Sequence, residues 1–333
     1  MTPLQAPEGI GPPEEAGPPE SAWRPESAGV SPAIEATGLR RTFGATVAVD
    51  GVDLSVPEGV LYGLIGPDGA GKSTLLRMLA TVLRPDSGEA RVFGASVTHD
   101  PDRVTSQIGY MSQQFCLYPD LTVAENVEFF ARLRGVPKAD RRRRAASLLE
   151  GLGLADVTTR RAGRLSGGMK QKLMLATTLM HEPRLLLLDE PTTGVDPVSR
   201  REFWEILARI RREGRTVLVA TPYMDEAERC TRVAFMDAGT VTRRGTPAEV
   251  KASLPGRVLE VSAPDARAVL AVVTSFDGVR QAHLLGDHVR VLWSGGASSE
   301  LADHLSEAGF AAQVEEIPAD MEAAFSYLAE DAG

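Results

Sequence analysis

The run Gly66-Pro67-Asp68-Gly69-Ala70-Gly71-Lys72-Ser73 has the residue types and spacing of a phosphate cradle, G-x-x-x-x-G-K-[ST]. Its glycines let backbone N–H groups close on phosphate oxygens, and a following helix adds the partial positive charge of its N-terminus. Lys72 can reach the β and γ oxygens, and the Ser73 hydroxyl can ligate Mg2+. Gly66, Pro67, Asp68, Gly69, Ala70, Gly71, Lys72, Ser73 and Thr74 are therefore the candidate nucleotide-binding residues, although the motif supplies no role for the negative charge of Asp68. The second chemical element is Leu185-Leu186-Leu187-Leu188-Asp189-Glu190. An apolar strand ending in Asp189 brings a carboxylate beside the Mg2+ at the carboxyl edge of a sheet. Glu190, one residue on, can take a proton from water as general base. A chance glycine turn or a surface acid pair would explain either run alone, but not the two together. No N-K-x-D run is present, which speaks against a guanine-specific enzyme.

These groups need a scaffold. Val60–Ile65 reads as a strand running straight into the glycines, followed by a helix over Lys72–Ala80. Leu185–Leu188 and Thr216–Ala220 are apolar without alternation, the pattern of parallel strands covered on both faces, so the fold class is α/β. Ile34–Arg40 and Val47–Val56 add two more strands. Residues 122–153 are helical in pattern, opening on the capping box Thr122-Val123-Ala124-Glu125 and showing helical spacing at Leu148, Leu149 and Leu152. From about Arg257 the order changes to βαββαβ, which predicts a small α+β sandwich of the ferredoxin-like kind. A last helix, with Met321, Phe325 and Leu328 on one face, closes the chain.

Of the net charge of −9, residues 1–35 carry −5, from six Glu against one Arg. The same stretch holds eight of the 22 Pro and little to bury, so residues 1–33 are expected to form a disordered tail. The remainder is nearly neutral, which argues against general nucleic-acid binding. Arg141–Arg144 spread around a helical turn without interleaved aromatics and read as a solvated face. No secretory signal and no apolar run of membrane-spanning length is evident, and Cys116 and Cys230 form no CxxC pair; a cytoplasmic protein is expected.

Between the phosphate loop and the acidic strand lies Leu165-Ser166-Gly167-Gly168-Met169-Lys170-Gln171, which resembles the signature of the ABC ATPase family. The resemblance covers about 34–250 and implies a P-loop ABC cassette with a helical insert at about 114–164, followed by the accessory domain over 251–333. It also implies ATP and Mg2+ as cofactors. Gln113, in Gly109-Tyr110-Met111-Ser112-Gln113, resembles the glutamine that touches both nucleotide and metal, so the implied metal set is Ser73, Gln113 and Asp189 and the catalytic set Glu190, Lys72 and Gln113. Gly194-Val195-Asp196-Pro197 resembles the family's D-loop. Phe43 sits where the family stacks an aromatic on adenine, and on sequence alone it could equally belong to the core.

Ser166 with Gly167 and Gly168, ahead of a helix, offers a second phosphate grip. The family closes that grip on the nucleotide of an opposite cassette, so a dimer, homomeric or heteromeric, is implied. The resemblance places the helical insert against separate membrane-spanning permease subunits, and Tyr223–Glu228 with the C-terminal unit is similar to the ATP subunits of daunorubicin-resistance exporters. That predicts an ATP-hydrolysing subunit of a drug exporter at the cytoplasmic face of a bacterial membrane. The competing reading is a soluble ABC ATPase in translation or DNA repair; the single cassette and short insert weigh against it. One residue departs from the family: Pro222 stands where a histidine usually meets the γ-phosphate, and no His occurs from 182 to 282. A proline side chain neither donates nor accepts, so slow or partner-dependent hydrolysis is expected.

Overall fold

The computed structural model describes residues 32–114 and 116–331, with side chains as far as residue 327 at the C-terminal end. The tail expected over 1–33 lies outside these residues except for Pro32 and Ala33, which open the first strand; the place of the Leu328 side chain also lies outside them. An antiparallel sheet is formed by β1 (Pro32–Phe43), β2 (Thr46–Pro57), β4 (Ser87–Val92) and β5 (Ala95–Ser96), in the order β2-β1-β4-β5. The central sheet contains β3 (Leu61–Ile65), β6 (Ile108–Met111), β7 (Leu185–Asp189), β8 (Thr216–Thr221), β9 (Arg232–Asp237) and β10 (Thr240–Gly245), in the order β10-β9-β3-β8-β7-β6. All its pairings are parallel except the one between β9 and β10.

The unbroken leucines of β7 divide between two cores. Leu186 and Leu188 join the cluster on one face, Leu185 and Leu187 the cluster on the other, and Val217 and Val219 of β8 part from Leu218 and Ala220 in the same way. Successive side chains of a strand point to opposite faces, so a sheet packed on both sides has no polar positions to alternate with. Each fully buried leucine contributes about 1.5–3 kcal/mol of transfer free energy against the entropy of ordering it.

Helices α1 (Lys72–Leu79), α2 (Pro101–Gln107), α5 (Gly167–Leu179), α6 (Pro197–Arg212), α7 (Met224–Ala227) and α8 (Pro247–Ala252) connect the strands. The helical insert holds α3 (Val123–Leu133) and α4 (Lys138–Gly151). α3 starts on the expected capping box, with the Glu125 N–H donating to Thr122 Oγ1 (3.2 Å) and the Thr122 N–H to Glu125 Oε2 (2.8 Å). Val123, Val127 and Ala131 on α3, with Leu149 and Leu152, share a core with Leu173 and Leu179 of α5, so the insert rests on the helix that follows the signature.

Beyond residue 256 come β11 (Arg257–Ser262), α9 (Ala266–Val273), β12 (Val279–Leu285), β13 (His288–Trp293), α10 (Ser298–Glu307) and β14 (Gln313–Ile317). They form a third, antiparallel sheet in the order β12-β13-β11-β14, with its own core that includes Leu259, Val291, Trp293, Val269 and Leu301. The final helix, α11 (Met321–Asp331), turns its apolar face elsewhere. Met321 and Ala324 are buried in the same cluster as β7 and α6, and the Phe325 ring lies 5.7 Å from that of Phe235 on β9. The last helix therefore packs on the α/β domain, and a division at residue 251 does not separate two self-contained cores.

Candidate nucleotide-binding and hydrolysis site

Strand order assembles the site. β8 lies between β3 and β7, with Ile65 beside Thr221 and Asp189 beside Ala220. The carboxyl ends of the three strands thus present Gly66, Thr221 and Glu190 at one edge, where ligands bind in open α/β sheets. β6 flanks β7 with Met111 beside Leu188, which delivers Gln113 to the same edge two residues later.

The phosphate loop is backbone-limited. A side chain on Gly66 would begin 2.0 Å from the Met236 carbonyl oxygen. Gly71 has φ of 101°, and a Cβ there would lie 2.1 Å from the Ala48 oxygen, so only glycine fits the turn into α1. Lys72 Nζ donates to the carbonyls of Gly66 and Pro67, each at 2.8 Å, which draws the ammonium across the mouth of the loop. Burial pushes the Lys72 pKa below the usual lysine range, and the negative charges of Glu190, Asp68 and Asp189 oppose that shift. Exposed Asp68 thereby acquires an electrostatic role: it helps keep Lys72 charged.

Ser73 Oγ donates to Asp189 Oδ1 at 2.7 Å. The other oxygen, Asp189 Oδ2, is buried and has no hydrogen-bond partner among the described residues. A buried carboxylate oxygen left unbonded is costly, and a hard divalent cation is the partner that suits it. Ser73 Oγ and Asp189 Oδ2 therefore fit Mg2+. Burial, reinforced by Glu190, pushes the Asp189 carboxyl above the ordinary aspartate pKa, with the Ser73 hydrogen bond opposing.

Glu190 is buried and holds a left-handed backbone, φ 48°. That conformation costs a non-glycine residue about 1–3 kcal/mol and persists where surrounding bonds over-determine it. Here the Glu190 N–H donates to Ala220 O at 2.9 Å. Its Oε2 accepts from Gln113 Nε2 (2.8 Å) and Thr193 Oγ1 (3.1 Å). Gln113 thus meets Glu190 through its nitrogen, which leaves Oε1 as the atom a cation would take.

The signature residues form a separate cluster. Ser166 caps α5 by accepting the Met169 N–H (3.3 Å). Gly168 packs so tightly on Ser199 of α6 that a Cβ would stand 2.5 Å from the Ser199 Cβ. Asp196 caps α6 through the Ser199 N–H (2.9 Å), which holds its carboxyl below the usual range. Ser166 thus belongs to the start of α5, Gly168 packs on α6 and Asp196 caps α6. Phe43 is 47% exposed at the end of β1, with the Arg41 guanidinium 5.0 Å from its ring centre; the core alternative does not hold. Sequence reasoning passed over Thr192 and Thr193, whose only signal was their place just beyond the acidic pair and Pro191.

A parallel α/β sheet that gathers a phosphate loop, a buried strand-end aspartate and an adjacent glutamate defines a P-loop nucleoside triphosphatase. The profile of the ABC transporter family matches residues 49–193. The chain is 47% identical over 236 residues to the daunorubicin/doxorubicin resistance ATP-binding protein DrrA of Streptomyces peucetius, covering 71% of this chain and 72% of that one. Among solved structures, CbiO1 of Clostridium perfringens, part of the ABC transporter complex CbiONQ, aligns with a TM-score of 0.62 at 28% identity over 67% of this chain and 91% of its own. A dimeric ATP-binding cassette in a post-hydrolysis state with ADP and Pi aligns with a TM-score of 0.58 at 28% identity over 64% of this chain and 98% of its own. The chain belongs to the ATP-binding proteins of ABC transporters and is an ABC ATPase. Among the described residues no helix is long and apolar enough to cross a membrane.

Proposed function

We propose that this protein is the ATP-hydrolysing subunit of a bacterial drug exporter, working as one of two cassettes against separate membrane-spanning subunits at the cytoplasmic face of the membrane. The observation that carries the reading is the convergence of Lys72, Ser73, Asp189, Glu190 and Gln113 on one sheet edge. Identity of 47% to a drug-resistance ATP-binding protein supports the cargo class.

In this reading Phe43 stacks on the adenine, and Lys72 leaves the Gly66 and Pro67 carbonyls for the β and γ oxygens of ATP. Mg2+, when bound, neutralises charge across those oxygens; Ser73, Asp189 and Gln113 would hold it. Glu190 takes a proton from water as the water oxygen bonds to the γ-phosphorus, and the bond from that phosphorus to the bridging oxygen breaks to leave ADP and phosphate. The signature and Asp196 close on the nucleotide of the opposite cassette. Exposed Tyr118, Phe129 and Leu133 support reading the helical insert as the face offered to the permease. The strand order β12-β13-β11-β14 supports reading the C-terminal unit as a ferredoxin-like sandwich, which in this proposal serves the dimer or its docking.

Two measurements test this function. The protein isolated from membranes should carry a multi-span permease with it; ribosomes in its place would favour the translation reading. Glu190→Gln should bind ATP, form dimers on a sizing column and lose about 10²–10⁴-fold in turnover. Normal phosphate release by that variant would remove Glu190 as the base.

A further inference from the structure

Glu226, on α7, is fully buried and has no part in the chemistry above. A carboxylate survives such burial when its oxygens are bonded. Thr192 Oγ1 donates to Oε1 and Thr221 Oγ1 to Oε2, both at 2.6 Å, and Arg200 Nε stands 3.8 Å from Oε1. With its proton given to Glu226, the Thr221 oxygen accepts the Tyr223 N–H at 3.1 Å. The Arg200 guanidinium also lies 4.1 Å from the centre of the Tyr223 ring. One carboxylate therefore ties together three segments: Thr192, two residues after Glu190; Thr221, the last residue of β8 and the neighbour of Pro222; and α6, through Arg200.

Glu190 depends on such ties because its backbone is left-handed and its N–H is held by Ala220, the residue before Thr221. The Thr192–Glu226–Thr221 bridge closes the loop begun by that bond. Pro222 has no polar side chain to brace the end of β8, so the polar bracing of this segment comes from Thr221 and Glu226. We propose that Glu226 is a positioning residue for hydrolysis: it clamps the chain on either side of the general base and links that clamp to α6. The inference rests on Glu190 being the base, as proposed above.

Thr192→Val keeps the side-chain shape and removes one donor to Glu226. In the full-length protein its kcat for ATP hydrolysis should fall about 10- to 100-fold, the cost of a displaced catalytic group. KM for ATP should stay within about twofold, since no nucleotide contact is lost. Thr192→Ser keeps the hydroxyl and should restore kcat to within about threefold of wild type. Glu226→Gln, which retains the volume but one acceptor oxygen in place of two, should show the same loss in kcat; where it fails to fold, the Thr192 pair decides. Wild-type kcat in Thr192→Val, equal losses in the Val and Ser variants, or a change confined to KM overturns the proposal. Glu190→Gln measured alongside separates the two readings. If it is inactive while Thr192→Val is unaffected, only the role of Glu226 falls; if it is fully active, the base assignment and this inference fall together.

Discussion

Gln113 Nε2 donates a 2.8 Å hydrogen bond to Glu190 Oε2 across 77 positions of sequence. The same oxygen accepts from Thr193, so Oε2 carries two donors, and Oε1 is the oxygen that the proposed base would use. The glutamine that follows β6 is therefore joined directly to the glutamate that follows β7, the residue proposed above as the base. In the proposed mechanism that bond would carry a movement of the segment at its far side, where the helical insert begins, to Glu190.

Asp189→Asn should stabilise the protein while ending metal-dependent turnover. The Asp189 pKa is raised in the folded state by burial and by Glu190. The folded protein then binds more protons than the unfolded chain between the ordinary aspartate pKa and the raised one, so this group's contribution is full below that window and is lost as pH rises through it. At neutral pH the variant should melt higher than wild type, with the difference shrinking as the pH approaches 4. Adding Mg2+ with ATP should raise the melting point of wild type more than that of the variant, which keeps Phe43 and Lys72 for the nucleotide but loses a cation ligand. A variant that melts lower at pH 7 would contradict the burial cost assigned to this carboxylate.

Phe43→Ala should weaken ATP binding by about 1–3 kcal/mol, the range for stacking of an aromatic ring on a base. Stability should change by less than about 0.5 kcal/mol, because the ring is largely exposed. Nucleotide titration and thermal melting separate the two effects; loss of stability with unchanged affinity would return Phe43 to a packing role.

Pro222→His tests the departure at the end of β8. A preorganised donor aimed at developing charge is worth about 10²–10³-fold, so turnover should rise by roughly tenfold or more where the introduced imidazole reaches the γ-phosphate. Unchanged rates in this variant remove Pro222 as a brake on hydrolysis.

Met321→Ala should destabilise the whole α/β domain by about 2–4 kcal/mol, since the side chain is buried in that domain's core. Denaturant unfolding followed at Trp204, on α6, and Trp293, on β13, should shift together. A shift seen only at Trp293 would place α11 energetically with the C-terminal sheet.

What the sequence determined by itself was chemistry carried by consecutive residues. The phosphate loop, the leucine strand with its acidic end and the Thr122–Glu125 cap are each local, and backbone geometry or one strand suffices to define them. The βαββαβ order was legible for the same reason: alternating and helical periodicities show where each element starts. Tertiary structure alone decided which distant groups touch. Ser73 meets Asp189 across 116 positions because β8 is inserted between β3 and β7, and one buried parallel strand reads like another in sequence, so no local run encodes that order. Phe43 shows the same limit, since an aromatic at a strand end can face core or solvent until its neighbours are placed. So does the last helix, whose amphipathic pattern announces a buried face but not what buries it: Phe325 closes on Phe235 of β9 and the helix packs on α7 and α8, so its apolar face joins the α/β core and not that of the sheet that precedes it. Glu226 was invisible as a clamp because a glutamate in a helix reads as solvated, and only the convergence of Thr192, Thr221 and Arg200 around it makes its burial stable.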